Sequence, residues 1–143
     1  MEQVVRTILF NEKKEILLVK HSEKTLWALP GGHIEKGENM YQALHREIME
    51  EFNLQINIPL EVAGLKDSRV NIEEFPKPIS IYKITFGDRE KMEYIFLAKI
   101  ISGKMRVDKN EIFEYKFFKK GDILNQRKEI YSQIVDLVEK YVN

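Results

Sequence analysis

The spacing of apolar and polar positions switches along the chain between the two-residue repeat of strands and the helical repeat of three to four. Val4 to Phe10 is apolar and β-branched, Asn11 to Lys14 is polar, and Glu15 to Lys20 is apolar again, which predicts a hairpin. Leu26-Trp27-Ala28-Leu29 then meets Pro30-Gly31-Gly32, a breaker cluster that should end an extended segment and let the backbone approach a ligand. From Asn39 the period becomes helical. Asn39 has the character of an N-cap with Gln42 three residues on, and Tyr41, Leu44, Ile48 and Phe52 fall in one stripe. Gln55 to Ile58 and Leu60 to Leu65 follow as short strand candidates, and the polar, proline-containing Lys66 to Pro78 reads as a long loop of the kind that carries function. Ile79 to Phe86 and Met92 to Ile101 flank a Gly-Asp turn and predict a second hairpin, apolar enough for central strands. Ile112 to Phe118 predicts a further strand whose Phe113, Tyr115 and Phe117 share a core-facing side, while Ile112, Glu114, Lys116 and Phe118 share the other. Ile130, Ile134, Leu137, Val138 and Tyr141 then predict an amphipathic closing helix over Asn125 to Tyr141. The order implies a single α/β domain over residues 1–143, a mixed sheet lying between helices.

Composition narrows the partners. Lys plus Arg and Asp plus Glu each number 23, so the net charge is zero and no bulk field draws the chain to nucleic acid or membrane; a polyanionic ligand must be held locally. There is no cysteine, which removes disulfides and thiolate metal sites and fits a reducing compartment. The amino terminus lacks the pattern of a signal peptide, and no segment approaches the roughly 20 apolar residues of a membrane span, so the expected location is cytoplasmic.

The helix after Asn39 is more acidic than folding requires. Glu47, Glu50 and Glu51 stand at i, i+3 and i+4 and share a face bordering the apolar stripe, so three carboxylates should converge at the rim of the core. A solvated charged helix usually offsets Glu with Lys or Arg four residues later. Here Glu47 is followed by Glu51, Glu50 by Leu54 and Glu51 by Gln55, and only Arg46 is placed to pair, with Glu50. A hard divalent cation taking oxygen ligands would supply the missing charge.

Gly32, Glu38, Arg46-Glu47-Ile48, Glu50-Glu51 and Asn53-Leu54, at their spacings over 23 residues, resemble the Nudix box, with Asn53 where the family usually has Gly. The preceding LWALPGG is also similar to the family's approach to that box. Asn is the usual second choice to Gly for a left-handed helix cap, so Asn53 should preserve the loop. The resemblance implies a Nudix-like α/β/α sandwich and a Mg2+-dependent hydrolase, with Mn2+ as an alternative, that cleaves the diphosphate linkage of a nucleoside diphosphate joined to another group. Charge leads to the same place: a diphosphate repels hydroxide, and magnesium bridges phosphate oxygens and activates water. The metal ligands expected are Glu47, Glu50, Glu51, the Gly31 carbonyl and Glu111, with one of Glu47 and Glu51 as base and Arg46 orienting a glutamate. Gly32 and Glu38 are assigned to the substrate loop, Glu38 orienting it or ligating through water.

Glu111 and Glu114 lie where members of that family often carry an additional acid, and the regular strand places Glu114 beside Lys116 and leaves Glu111 in the preceding loop, so Glu111 is the expected one. His21, His33 and His45 lack the spacing of a histidine metal site. Lys116, Lys119, Lys120, Arg127 and Lys128 read as solvated surface before they read as a phosphate rim. The first substrate expected is a nucleoside triphosphate, damaged ones included. The alternatives are a non-catalytic nucleotide- or RNA-binding module on the same fold, an RNA 5′-end pyrophosphohydrolase, and an interaction domain whose acidic helix meets a basic partner. The first of these should have lost box acids, and none is lost here. The partner expected is a small molecule, with the oligomeric state, homodimer included, left open.

Overall fold

The computed structural model describes residues 1–60 and 64–143. Strands β1 (Glu2–Phe10) and β2 (Ile16–Lys20) form the expected first hairpin, closed where Phe10 faces Ile16. β1 carries apolar residues on both its faces because both are covered: Val5 and Leu9 join the core on one side of the sheet and Ile8 the core on the other. Strand β3 (Gly31–His33) lies antiparallel to β1, with Gly31 opposite Arg6 and Gly32 opposite Val5. The glycine pair therefore opens a strand, where the breaker cluster suggested only the end of one. Gly31 has φ +146°, and a Cβ there would stand 2.1 Å from the Val5 carbonyl oxygen, so no side chain is accommodated.

Helix α1 (Met40–Phe52) leads into strand β4 (Gln55–Asn57). The strand expected at Leu60 to Leu65 falls on 61–63, outside the described residues. The segment expected as a loop from Lys66 to Pro78 contains a small separate hairpin, β5 (Lys66–Asp67) with β6 (Ile72–Glu73). It is tied to α1 by Tyr41, whose ring stacks on Phe75 at 4.6 Å and whose hydroxyl donates to the Pro76 carbonyl. Strands β7 (Ser80–Phe86) and β8 (Arg89–Ser102) make the second hairpin around Gly87-Asp88.

Only one of those two strands is central. In the seven-stranded sheet, ordered β4-β8-β1-β2-β9, β8 runs parallel to the whole of β1 and also pairs with β4 and β7, whereas β7 is bonded to β8 alone and exposes Ile81 and Phe86. The strand β9 (Glu114–Phe118) also differs from its aromatic pattern. It is the last strand of the order, and α1 packs over β1, β3 and β4 at the other side of the sheet. Phe113 and Tyr115 are consequently 57% and 40% exposed, Phe117 is half-buried, and the buried positions are Ile112 and Phe118.

The closing segment is broken where one helix was expected. Helix α2 (Lys120–Asn125), a 3₁₀ turn (Arg127–Glu129) and helix α3 (Ser132–Tyr141) follow in turn. Trp27 N–H donates to Glu129 O and Tyr131 N–H to Trp27 O, which holds Ile130 extended and starts the helix only after it. Ile130, Ile134, Leu137 and Val138 are buried as expected, but Tyr141 is exposed. One core lies between α1 and the sheet and the other between the sheet and α3, which makes an α/β/α sandwich.

Candidate active site

The acidic helix is fixed at both ends. Asn39 Oδ1 accepts from Gln42 N–H at 2.8 Å while Gln42 Oε1 accepts from Asn39 N–H at 2.8 Å, a complete capping box. At the other end Asn53 adopts φ 60°, ψ 37°, donates its N–H to Met49 O, and donates Nδ2 to Lys104 O, so Asn does serve in the left-handed position. Leu44, Ile48 and Phe52 are fully buried, which rotates Glu47 and Glu51 to the edge of the core.

The three glutamates then part company. Glu51 is 4% exposed, and its Oε1 is enclosed with no hydrogen-bond partner. Burial first, then the neighbouring Glu47 carboxyl and more weakly Glu111, push the Glu51 carboxyl up to about 9, with Arg6 opposing. Glu47 is packed against Gly32: a Cβ on that glycine would fall 2.4 Å from Glu47 Cδ and 2.6 and 2.7 Å from its oxygens. Glu50 is largely exposed and, among the described residues, pairs only with Arg46, at 3.2 Å. The expected convergence of all three is not found: among the described residues no three acidic or histidine groups surround one point. Glu47 stays beside Glu51, whereas Arg46, 3.0 Å from Glu47 and 3.2 Å from Glu50, holds the exposed Glu50 carboxylate on the outer side.

Arg46 is itself clamped. It donates to both oxygens of Glu38, at 3.0 and 2.7 Å, and to the His33 carbonyl at 3.0 Å. Glu38 first and then Glu47 raise the guanidinium pKa, and Arg46 with the Glu35 N–H lowers that of Glu38. Glu38 thus braces the loop onto the helix, the orienting role among those expected of it.

On the α3 side of the sheet a cleft of about 420 Å³ opens, lined by Arg6, Leu29, Tyr82, Phe86, Lys91 and Glu93 among others. Arg6 belongs to both regions: it borders the cleft, it opposes Gly31 across β1 and β3, and its charge reaches Glu51. Its Nε donates to Glu93 Oε2 at 3.1 Å and its Nη1 to Leu29 O at 3.1 Å. Glu93 is 3% exposed, so it and Glu51 are the buried carboxylates among the described residues.

A family model described as NUDIX domain matches residues 2–140. The chain belongs to the Nudix family. A structure of a NUDIX-family hydrolase from Clostridium perfringens superposes with a TM-score of 0.78 at 20% identity, covering 96% of this chain and 93% of that one. A Danio rerio protein named 8-oxo-dGDP phosphatase NUDT18 is 37% identical over 106 residues, 72% of this chain and 26% of its own length. An RNA pyrophosphohydrolase of Blochmanniella pennsylvanica is 29% identical over 118 residues, 79% of this chain and 71% of that protein. The chain thus spans only about a quarter of the Danio rerio relative.

Around the Nudix box, Glu111 and Glu114 separate clearly. Asp108 N–H donates to the Glu51 carbonyl and Arg106 N–H to the Phe52 carbonyl, each at 2.9 Å, which docks the loop before β9 onto the last turn of α1. Glu111 follows in that loop, near enough for its charge to act on Glu51, while Glu114 is exposed in β9 opposite Lys20. His21 Nδ1 lies 3.1 Å from the Glu111 carbonyl, His33 pairs with Glu2, and His45 is exposed. Lys116, Lys119, Lys120, Arg127 and Lys128 do not line the cleft. Sequence reasoning missed Arg6, Lys91 and Glu93. The signal in the sequence was weak: Arg6 lies between Val5 and Thr7 in β1, and Lys91 and Glu93 belong to the charged start of β8.

Proposed function

We propose that this Nudix chain hydrolyses the diphosphate linkage of a nucleoside diphosphate joined to a further group, with nucleoside triphosphates, those bearing damaged bases included, as its first substrates. The observation that carries the reading is the enclosed, partnerless Glu51 Oε1 beside Glu47, since a buried carboxylate oxygen without a donor is costly unless a cation completes it. The donor set fits magnesium or manganese: Glu47, Glu50, Glu51, Glu111 and the Gly31 carbonyl are all hard oxygens. Such a cation would supply charge neutralisation for the phosphates and acidify water in its shell. Glu47 or Glu51 takes the proton of the attacking water, and Arg46 holds Glu47 in place while its bidentate grip on Glu38 fixes the loop. Gly32 leaves room for the Glu47 carboxylate. The cleft beyond Arg6, with Tyr82 and Phe86 in its wall, suits the nucleoside.

Products would be a nucleoside monophosphate and pyrophosphate or the remaining phosphorylated fragment. No described helix is long and apolar enough to cross a membrane, and the absence of cysteine suits a cytoplasmic setting. A second reading, removal of pyrophosphate from triphosphorylated RNA 5′ ends, draws on the Blochmanniella pennsylvanica relative. A non-catalytic module is disfavoured by the complete set of box acids. The test is release of phosphate or pyrophosphate from a panel of nucleotides, nucleotide sugars and 5′-triphosphorylated RNA with magnesium, repeated with Glu51→Gln. Failure of every substrate at saturating magnesium would overturn the reading.

A further inference from the structure

A carboxylate is driven into a protein wall at considerable cost, and Glu93 has no part in the acid cluster of α1. It projects from β8 on the α3 side of the sheet, the side of Ile95, and is 3% exposed. Two cations share one of its oxygens: Arg6 Nε lies 3.1 Å and Lys91 Nζ 2.9 Å from Oε2. All three residues line the cleft. Both cation contacts fall on Oε2, and the carboxylate forms part of the cleft wall. A pair that served only to cancel charge would need one cation for one carboxylate. Here two cationic donors and an acceptor carboxylate stand side by side in the cleft wall. Arg6 is held by Leu29 O, and Lys91 has its Nζ 5.3 Å from the Phe86 ring.

We infer that Glu93, flanked by Arg6 and Lys91, selects the base in the cleft, favouring nucleobases with a ring N–H beside a carbonyl over those with an amino group beside a bare ring nitrogen. This rests on the nucleotide reading above and specifies its substrate class. Guanine and its 8-oxidised form, hypoxanthine, uracil and thymine present a ring N–H to an acceptor and a carbonyl to neighbouring donors. Adenine and cytosine in the same pose set a nitrogen lone pair against the Glu93 carboxylate and an amino group against the Arg6 and Lys91 N–H groups. Both contacts are then mismatched, and the unpaired groups remain buried, which is how a hydrogen-bonding site rejects an analogue. Tyr82, Phe86 and Tyr131 in the lining offer ring faces that do not discriminate between bases, which leaves selection to the polar cluster.

The experiment measures kcat/KM for GTP, 8-oxo-dGTP, UTP, ATP and CTP with wild type, Glu93→Gln and Lys91→Gln, each checked for folding by thermal melting. Wild type should favour GTP over ATP and UTP over CTP by at least about tenfold, the discrimination of one good polar pair. Glu93→Gln should bring both ratios to within about threefold of unity. Should that variant fail to fold, Lys91→Gln, which leaves the Arg6–Glu93 pair intact, should still reduce the GTP to ATP ratio. Equal use of keto and amino bases by wild type, or unchanged ratios in a folded variant, would overturn the inference while leaving the hydrolase reading intact. Absence of turnover with all five would remove nucleoside triphosphates from the substrate list and leave the hydrolase reading to the wider panel. Calorimetric affinities for GTP and ATP would then decide the base preference, equal values overturning it.

Discussion

Replacing Glu51 by Gln should make the cation-free protein more stable while removing one of its two proposed proton acceptors. The folded chain keeps the Glu51 carboxyl protonated up to about 9, against an ordinary value of 4.5, because it is buried beside Glu47. Between those values the folded state binds a proton that the unfolded chain has released, so stability falls as pH rises from about 4.5 towards 9. Neutrality lies roughly 2.5 pH units above the ordinary value, and at about 1.4 kcal/mol per unit the penalty at pH 7 is about 3 kcal/mol. Glutamine is neutral throughout and its amide can donate to the Glu47 carboxylate, so most of that penalty should disappear. For a chain of 143 residues this corresponds to a rise in Tm of roughly 6–10 °C at pH 7. The assay is thermal melting in a chelator at pH 5, 7 and 8.5 for both proteins. The gap should be small at pH 5 and widen with pH, and magnesium should stabilise wild type by mass action and narrow it. A variant melting at or below wild type at pH 8.5, or a gap that does not grow with pH, would refute the reasoning.

Glu47→Gln and Glu51→Gln should each lower magnesium-dependent turnover by roughly 10²–10⁴-fold with the fold retained, read by steady-state kinetics and circular dichroism. Glu111→Gln should lower turnover at least about tenfold, whereas Glu114→Gln, out in β9, should stay within a few-fold; the reverse order would mean that Glu114 is the extra acid. Gly32→Ala should displace the Glu47 carboxylate, which the new methyl would meet at 2.4 Å, and cut turnover by about tenfold or more with only a small loss of Tm, whereas wild-type kinetics would show that Glu47 can move aside freely.

The acidic helix was legible because its determinants are local. The capping box, the buried stripe and the left-handed Asn53 all lie within a span of fifteen residues from Asn39 to Asn53, and each was readable from spacing. What escaped depends on who covers whom. The aromatic face of β9 looked like core because alternation shows only that two faces differ, and its place at the end of the sheet order leaves Phe113 and Tyr115 exposed. Ile130 kept helical spacing with Ile134 by coincidence, because Trp27 captures the backbone around it. Arg6 and Glu93 are 87 positions apart and meet because β1 and β8 run parallel, a pairing that no local pattern encodes. The carboxylates of Glu47 and Glu50 were assigned to one cluster because periodicity fixes a face and says nothing of where Arg46 will pull a side chain.

The docking of the loop before β9 onto α1 has a consequence for which changes the site can absorb. Arg106 and Asp108 reach the Phe52 and Glu51 carbonyls with backbone N–H groups, and Glu111 N–H in turn reaches the Asp108 carbonyl. Every one of these bonds is indifferent to side-chain identity. Residues such as Arg106 and Lys109 can therefore be exchanged without moving Glu111, provided that proline is avoided at the donating positions. Insertion or deletion of a single residue between Asp108 and Glu111 would carry the carboxylate away from Glu51 even if every original side chain were kept. Along this stretch chain length is the constrained quantity, and composition is tolerant except at Asp108, whose Oδ1 accepts from Asn110 N–H at 3.0 Å.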